Sequence, residues 1–206
     1  MRKIAESTVR RLSLYLRFLE EFGERGALTV SSEALATRGG TTSAQVRKDL
    51  SFFGSFGKRG LGYSVPELAG RLREILGLGR RYRLVVVGAG KIGRALVQYG
   101  GFRQRGFDIV AIYDRDPAKI GARWDGLVIR DAARLGEELA GLHPDVAVVA
   151  TPAEAAQGVA DAVVAGGVRA ILNFAPVSLV VPDDVSVKTV NLAMELEALS
   201  YALSNR

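Results

Sequence analysis

Three glycines in a G-x-G-x-x-G pattern, Gly88, Gly90 and Gly93, have the spacing most indicative of chemistry in this chain. They follow an apolar run, residues 84–87, and open an apolar helical pattern, and Asp114 ends the next apolar run. The first glycine permits a tight turn, the second lets the backbone approach a pyrophosphate, and the third lets the helix pack near the strand. The helix N-terminus supplies free N–H groups and a positive dipole. The pattern predicts a dinucleotide site; the alternatives are another ligand or glycines that serve packing only.

The predicted contacts of the dinucleotide extend to residues just beyond the carboxyl ends of later strands. Such positions line the ligand crevice of an open parallel sheet. In this prediction Lys91 neutralises phosphate, whereas Asn173 and Phe174 meet the nicotinamide end. The full predicted set is Gly88, Ala89, Gly90, Lys91, Ile92, Gly93, Asp114, Arg115, Thr151, Pro152, Asn173 and Phe174.

Several members of this set have a second interpretation. The carboxylate of Asp114 would accept both ribose hydroxyls and repel a 2′-phosphate, which favours NAD over NADP, but the neighbouring Arg115 could instead receive that phosphate. Thr151 could cap the next helix, with Pro152 at its first position. Phe174 could simply belong to the core. The residue types alone leave these alternatives open.

Groups for catalysis are scarce around the predicted dinucleotide. A dehydrogenase needs a proton donor or acceptor beside the nicotinamide. The single histidine, His143, precedes a predicted strand at its amino end, on the wrong edge of the sheet, and Tyr99 lies at the far end of its predicted helix. The chain has no cysteine, so disulfides and thiol catalysis are excluded and a metal site is not expected. These residues favour sensing over turnover.

The net charge is concentrated in the first part of the chain. Residues 1–80 hold 14 Lys and Arg against 8 Asp and Glu, whereas residues 81–206 hold 14 of each. This asymmetry favours an anionic partner, most commonly nucleic acid, over a merely solvated basic surface. No apolar run approaches the roughly 20 residues that span a membrane, and the N-terminus has no apolar signal core. We therefore expect a cytoplasmic protein without a membrane partner.

The basic part of the chain predicts a helix-turn-helix. Apolar spacing predicts helices at residues 4–23 and 33–37 and a third helix that ends at Leu50. Ser31 or Ser32 is expected to cap the second helix and one of residues 41–43 the third. Residues 38–40, with two glycines, turn the chain between them. Two short helices joined by such a turn are typical of DNA-binding domains.

The third helix and the segment after it carry the predicted DNA contacts. Residues 52–63 combine glycines, aromatics and two adjacent cations, which predicts a β-hairpin, the wing of a winged helix. Cations on the helix and at the wing tip would contact phosphates or base edges. The alternative is a solvated surface in which Arg47 and Lys48 pair with Asp49. The predicted contacts are Gln45, Arg47, Lys48, Ser51, Lys58 and Arg59.

The fold class predicted from these patterns is α/β. A winged helix-turn-helix domain occupies residues 1–79 and ends in a helix at 65–78, and a Rossmann-type parallel-sheet domain occupies residues 80–190. The C-terminal helix, within residues 191–206, has two apolar stripes, so it should be buried on two sides. We expect a homodimer, because helix-turn-helix proteins usually bind two half-sites with two-fold symmetry.

Four segments together resemble the bacterial Rex family of redox-sensing transcriptional repressors. They are QVRKDLSFFG at 45–54, GKRGLGY at 57–63, VGAGKIG at 87–93 and ILNFAP at 171–176. The resemblance covers nearly the whole chain and implies a homodimer on palindromic operator DNA that senses the balance of NADH and NAD+. It also implies that NADH releases the protein from DNA and that the C-terminal helix is exchanged between subunits.

The resemblance further implies a switch network that responds to the state of the cofactor. Its members would be an arginine of the first helix, Arg17, a tyrosine after the glycine motif, Tyr99, and an acid before the last helix. Asn191 stands at the acid's position, and a neutral amide allows only a weaker hydrogen bond. The alternative function is an enzyme, either an NAD-dependent oxidoreductase or a CoA-ligase-like subunit.

Overall fold

A computed structural model describes residues 4–57 and 61–205 of the chain. The chain divides into two compact units between Arg80 and Arg81. The N-terminal unit is mostly helical, and the C-terminal unit is built on a mainly parallel sheet. In the described ranges, no helix is both long enough and apolar enough to cross a membrane.

The N-terminal unit packs four helices around one apolar core. Leu12, Leu16 and Leu19 of the first helix are fully buried against Leu68 and Leu72 of the last. The helical spacing of these leucines explains why each helix buries one face. The elements are α1 (Glu6–Glu24), β1 (Thr29–Val30), α2 (Ser32–Gly39), α3 (Ser43–Ser51), β2 (Tyr63–Ser64) and α4 (Val65–Ile75).

Capping side chains fix where the short helices begin. Ser31 Oγ accepts a hydrogen bond from the Ala34 amide at the start of α2, and Thr42 Oγ1 accepts one from the Gln45 amide at the start of α3. The predicted turn at residues 38–40 begins later than expected, because α2 continues to Gly39 and only Gly40 takes the left-handed conformation. The predicted helix at 65–78 ends at Ile75.

The predicted hairpin at residues 52–63 is described only in part, because residues 58–60 lie outside the described residues. In the described part, residues 52, 53 and 61 lie in turns, 57 in a bend, Gly62 in a single β-bridge and Tyr63 in a strand. That strand, β2, pairs with β1 in antiparallel register, with Val30 opposite Tyr63. A Cβ at Gly62 would overlap the Val30 carbonyl, so glycine there permits the pairing. Lys58 and Arg59, the predicted wing tip, lie outside the described residues.

A buried carboxylate holds α3 against α1. Asp49 is fully buried, and each of its oxygens accepts two hydrogen bonds. Arg11 donates to both oxygens, at 2.6 and 2.7 Å, Tyr15 donates to Oδ2 at 3.0 Å and Gln45 to Oδ1 at 2.8 Å. Burial raises the pKa of Asp49, but these donors lower it by more, to below its ordinary value. Burial also raises the pKa of Tyr15 to about 12.

The C-terminal unit is a seven-stranded sheet in the order β5-β6-β4-β3-β7-β8-β9, parallel except for β5. The chain runs from β3 outward on one side and then returns to β7 on the other, so the strand order reverses between them. Such a switch point opens a crevice at the carboxyl ends of the strands. The strands are β3 (Tyr82–Val87), β4 (Phe107–Asp114), β5 (Arg123–Trp124), β6 (Leu127–Asp131), β7 (Val146–Val149), β8 (Ala170–Asn173) and β9 (Ser186–Thr189).

Helices cover both faces of this sheet. Val85 and Val87 of β3 point into one apolar cluster and Leu84 and Val86 into another, which is why this strand is a continuous apolar run. A 3₁₀ turn (Ala132–Arg134) directly precedes the helix that begins at Leu135. The helices are α5 (Lys91–Val97), α6 (Gly101–Gln104), α7 (Leu135–Leu142), α8 (Ala153–Ala165) and α9 (Leu192–Ser204).

Two features of this unit go beyond the sequence prediction. The helix after the glycine motif ends at Val97, so Tyr99 lies in the connection to α6. Strands β5 and β6 form an antiparallel hairpin whose turn, Asp125 and Gly126, has positive φ at both residues. An Asp-Gly pair between apolar residues is a strong signal for this turn, and that signal could have identified the hairpin.

The terminal helix α9 has no buried residue in this chain. Its large apolar side chains are exposed by 60% or more; they are Leu192, Met194, Leu196, Leu199, Tyr201 and Leu203. Asn191 caps the helix, because its side-chain oxygen accepts hydrogen bonds from the amides of Ala193 and Met194.

We predict that Asp49→Ala lowers the free energy of unfolding of the N-terminal unit by about 2 to 3 kcal/mol, because Arg11 loses its partner and α3 its anchor. Chemical denaturation of the purified protein measures this change. The matched control Glu74→Ala breaks an exposed ion pair with Arg71 and should change stability by less than about 0.5 kcal/mol. Since the pKa of Asp49 is lowered in the folded protein, its stabilisation is present at neutral pH and is lost in acid. Equal effects of the two substitutions would contradict the assignment of Asp49 as the anchor.

Candidate functional site

A crevice of about 570 Å³ opens at the carboxyl ends of β3, β4 and β7. Six residues of the predicted dinucleotide set line it: Gly88, Gly90, Asp114, Arg115, Thr151 and Pro152. The crevice wall also includes Val87, which directly precedes the glycine motif, and Lys119, Ala155 and Val159, which the sequence did not predict there.

Each of the three motif glycines is required for a different structural reason. A Cβ at Gly88 would overlap the Ala150 carbonyl of β7's end, and Gly88 has a positive φ of 110°. A Cβ at Gly93 would overlap the Gly88 carbonyl, so glycine alone lets α5 begin this close to β3. A Cβ at Gly90 would meet nothing within 4 Å. Gly90 lines the crevice, so its missing side chain leaves space for a ligand rather than for the protein.

Asp114 holds the glycine turn against the end of β4. Its carboxylate accepts hydrogen bonds from the Ala89 amide at 2.6 Å and the Asp116 amide at 2.8 Å, and Lys119 Nζ lies 3.3 Å away. Burial raises the pKa of Asp114, but these three donors bring it below its ordinary value. The carboxylate is thus ionised and shapes the turn; its predicted bonds to ribose hydroxyls stay a prediction. Asp116 accepts from the Ala118 amide and makes a turn, as its position before Pro117 indicates.

Thr151 has a hydroxyl without a partner. Its Oγ1 is buried and accepts or donates no hydrogen bond among the described residues. The alternative that Thr151 caps the next helix is wrong, because α8 begins at Ala153 without a side-chain cap. An unsatisfied hydroxyl costs free energy, so a group that bonds it on the crevice wall fits this position. The open space at Gly90 and this hydroxyl are both suited to a dinucleotide.

Other residues of the predicted dinucleotide set do not line the crevice. Lys91 and Ile92 are exposed on the first turn of α5, whereas the Ala89 amide is already bonded to Asp114. Asn173 is fully buried: its amide donates to the Ala175 and Val177 carbonyls and accepts from the Ala175 amide. That geometry does not support direct contact of Asn173 with a nicotinamide and indicates that it shapes the loop after β8.

Phe174 is half-buried and packs on the cluster that contains Leu84 and Val86. Its packing fits the core alternative.

The crevice lining contains no histidine, cysteine or tyrosine, and its Asp114 and Lys119 are bonded to each other. His143 ends α7 in a left-handed conformation and precedes the amino end of β7, opposite the crevice edge. Within the described ranges, no cluster of His, Cys, Asp and Glu has the arrangement of a metal site. The crevice is suited to holding a ligand.

The outer face of α3 is basic. Arg47 and Lys48 are exposed, and Arg47 Nη1 donates to Ser32 Oγ at 3.0 Å. Asp49 faces the interior, so the alternative in which it neutralises Arg47 or Lys48 is wrong. Ser51 Oγ donates to the Lys48 carbonyl, which leaves its lone pairs available. Gln45 is half-buried and bonded to Asp49, contrary to the expectation that it faces outward freely.

The three predicted switch residues lie on separate elements. Arg17 is exposed on α1, and Asn191 caps α9. Tyr99 is 60% exposed, and its ring packs edge-on against Phe102 at 5.2 Å between centroids. Tyr99 and Asn191 lie in the C-terminal unit, and no hydrogen bond joins them among its described residues; Arg17 lies in the N-terminal unit.

The basic recognition helix and the dinucleotide crevice together define a class, a DNA-binding regulator with a Rossmann-type ligand domain. Residues 3–51 match the family described as "Putative DNA-binding protein N-terminus", and residues 80–177 match the family described as "CoA binding domain".

Comparisons with whole proteins are more specific. The chain is 49% identical to the redox-sensing transcriptional repressor Rex of Syntrophomonas wolfei over 99% of its own length and 98% of that protein's. A crystal structure of RSP, a Rex-family repressor, in complex with NAD+ and operator DNA matches with a TM-score of 0.94 at 36% identity, over 100% of this chain and 94% of that one. RSP in complex with NADH matches with a TM-score of 0.91 at 34% identity, over 100% and 96%. The chain belongs to the Rex family of redox-sensing transcriptional repressors.

Membership in this family confirms the resemblance and the predicted fold class of an N-terminal DNA-binding domain followed by a Rossmann-type domain. The family consists of regulators, so the alternative of an oxidoreductase or a CoA-ligase-like subunit is not supported.

We predict that Gly90→Ala leaves the fold intact but weakens NADH binding by about tenfold or more, because the methyl group enters space that the pyrophosphate needs. Fluorescence titration with NADH, together with a thermal melt, separates the two effects. Gly158→Ala in α8 is the matched control, since a Cβ there also meets nothing within 4 Å but lies away from the crevice lining. Undiminished NADH affinity in Gly90→Ala would place the pyrophosphate elsewhere.

We further predict that Thr151→Val maintains or raises the melting temperature while it weakens NADH binding about fivefold. The substitution removes a buried hydroxyl that has no partner and keeps the side-chain volume. Calorimetric unfolding and an NADH titration measure the two quantities. A lowered melting temperature with unchanged NADH affinity would show that the hydroxyl serves the fold alone.

Proposed function

We propose that the protein is a homodimeric repressor that binds palindromic operator DNA and is released from it by NADH. The observation that carries this proposal is the combination, in one chain, of a basic recognition helix with a crevice at the switch point of a Rossmann-type sheet, whose lining contains no histidine, cysteine or tyrosine. The relatives support it, because one Rex-family structure contains NAD+ and operator DNA and another contains NADH.

The crevice residues would hold the dinucleotide through its phosphates and sugars. The free amides at the start of α5 and the space at Gly90 receive the pyrophosphate, with Lys91 nearby to neutralise it. Asp114 orients the glycine turn and faces the adenine ribose, and Thr151 supplies a hydrogen-bonding hydroxyl. The bound cofactor supplies a nicotinamide ring whose charge differs between NAD+ and NADH, and that difference is the redox signal.

The N-terminal unit would place α3 in the major groove. Arg47 and Lys48 then contact phosphates or base edges, and Ser51 has lone pairs available for a donor. Lys58 and Arg59 are proposed to add contacts from the wing. The net positive charge of residues 1–80 strengthens binding to any DNA, so sequence preference must come from the base contacts.

The homodimer is proposed to form through α9. A helix with six large exposed apolar side chains is unstable in water unless a partner covers it. In this proposal the domains are residues 1–79, 80–190 and 191–206. Exchange of the last of these, the C-terminal helix, with a second subunit would bury both of its apolar stripes. The two recognition helices would then contact half-sites about one helical turn apart, and the protein would act in the cytoplasm without a metal.

The switch requires that NADH and DNA prefer different arrangements of the dimer. A ligand with equal affinity for both arrangements shifts neither. We propose that Arg17, Tyr99 and Asn191 link the cofactor to that equilibrium. Asn191 is neutral and its side-chain oxygen already caps α9, so a hydrogen bond from Arg17 to Asn191 would lack the attraction of an ion pair.

We predict that NADH lowers the affinity for DNA by about tenfold or more, whereas NAD+ at the same concentration does not. The probe is a duplex selected by the full-length protein from a library randomised in two inverted half-sites. Each cofactor is titrated separately in a gel-shift or anisotropy measurement. Equal effects of the two cofactor forms would contradict redox sensing.

Two variants, tested in the same DNA titration, identify the surface of the protein that binds DNA. Arg47→Ala should weaken the DNA complex and reduce its dependence on salt, while the affinity for NADH stays unchanged. Arg169→Ala is the matched control, because it removes an arginine that pairs with Asp184 in the C-terminal unit. Undiminished DNA affinity in Arg47→Ala would make Arg47 an ordinary surface residue.

A further inference from the structure

The side-chain amide of Gln45 is held in one orientation by Asp49. Gln45 Nε2 donates to Asp49 Oδ1 at 2.8 Å, and the two residues are one helical turn apart on α3. A glutamine amide normally rotates to offer either its NH2 group or its oxygen. An ionised carboxylate accepts hydrogen bonds only, so the NH2 group of Gln45 must face it.

Asp49 itself has no freedom to rearrange. Arg11 Nε and Tyr15 donate to Oδ2, and Arg11 Nη2 and Gln45 donate to Oδ1, so all four acceptor positions of the carboxylate are used. The carboxylate is fully buried and attached to a guanidinium on another helix. The orientation of Gln45 is therefore set by the interior of the domain.

One N–H of this amide is held by Asp49, whereas the second N–H and Oε1 bond to no residue in the described part of the chain. Gln45 lies in the first turn of α3, where its backbone amide bonds the cap Thr42. In a helix-turn-helix, residues near the N-terminus of the recognition helix contact base edges. Gln45 is half-buried, so its outward atom is the part that can contact DNA.

We propose that Asp49 is a positioning residue for base recognition, and that it holds Gln45 so that Oε1 contacts the major groove as a hydrogen-bond acceptor. This inference rests on the proposed function. Major-groove donors are the exocyclic amino groups of adenine and cytosine, whereas guanine and thymine offer acceptors on this edge. Gln45 therefore selects adenine or cytosine at its contact position. Arg47 and Lys48 are donors, so the outer face of α3 combines one acceptor in a fixed position, Gln45 Oε1, with two cations.

The test compares the sequence preferences of four full-length proteins. Each selects from the same duplex library, randomised in two inverted half-sites, and the enriched duplexes are sequenced. The proteins are the unmodified chain, Gln45→Ala, Asp49→Asn and Arg11→Lys. Circular dichroism and melting temperatures establish that each variant is folded at the temperature of selection.

The unmodified protein should enrich adenine or cytosine at one position of each half-site. Gln45→Ala should lose the preference at that position alone and bind the selected duplex about fivefold more weakly. In Asp49→Asn the new amide can present either its oxygen or its NH2 group to Gln45, so the orientation of Gln45 is no longer fixed. The preference for adenine or cytosine at that position should therefore weaken, and guanine and thymine should be enriched there as well.

Arg11→Lys is the matched control, because it weakens the interior pair but leaves the Gln45–Asp49 bond. It should lower the melting temperature and keep the original preference. Two results would overturn the inference: Gln45→Ala that weakens all duplexes equally, or folded Asp49→Asn that keeps the original preference. If Asp49→Asn does not fold, Gln45→Ala decides. Failure of the unmodified protein to enrich any sequence would overturn the proposed function itself.

Discussion

The contact between the backbone of α5 and the carbonyl of Gly88 is the constraint on which the C-terminal unit depends. No side chain can occupy Gly93 without overlapping that carbonyl, so the helix begins directly against the end of β3. The crevice lies beside this close approach, where the glycine turn before α5 and the chain just after β4 and β7 surround one volume. Asp114 fixes the same turn from the neighbouring strand through the Ala89 amide. The result is a glycine turn that is held in place both by the start of α5 and by the end of β4.

The N-terminal unit depends on a different kind of interaction, a buried ion pair. Asp49 connects α3 to α1 through Arg11 and Tyr15, and it also binds the half-buried Gln45 on α3 itself. Apolar packing could hold α3 in place as well or better, because burying charges is expensive. A carboxylate adds what apolar groups lack, a fixed direction for a polar neighbour. The interior of the domain is thereby connected to its recognition surface.

Sequence patterns predicted the local features well. The glycine turn, the caps Ser31 and Thr42 and the helix α8 follow from propensities within a few residues. Features that depend on distant partners were missed or misassigned. Asp49 and its partner Arg11 are 38 positions apart, and the strand at Tyr63 pairs with residues before α2, so no local pattern contains either contact. A local contact also escaped prediction: Asn173 was expected at the ligand because it ends a strand, yet its amide bonds Ala175 and Val177 of its own loop.

The two units act together only if binding at one changes binding at the other. Thermodynamic linkage then requires that DNA change the affinity for NADH by the same factor by which NADH changes the affinity for DNA. The direct test is calorimetric titration of NADH into the free protein and into the protein saturated with its selected duplex. The account predicts that NADH binds the DNA complex about tenfold or more weakly. Equal NADH affinities in the two titrations would contradict it.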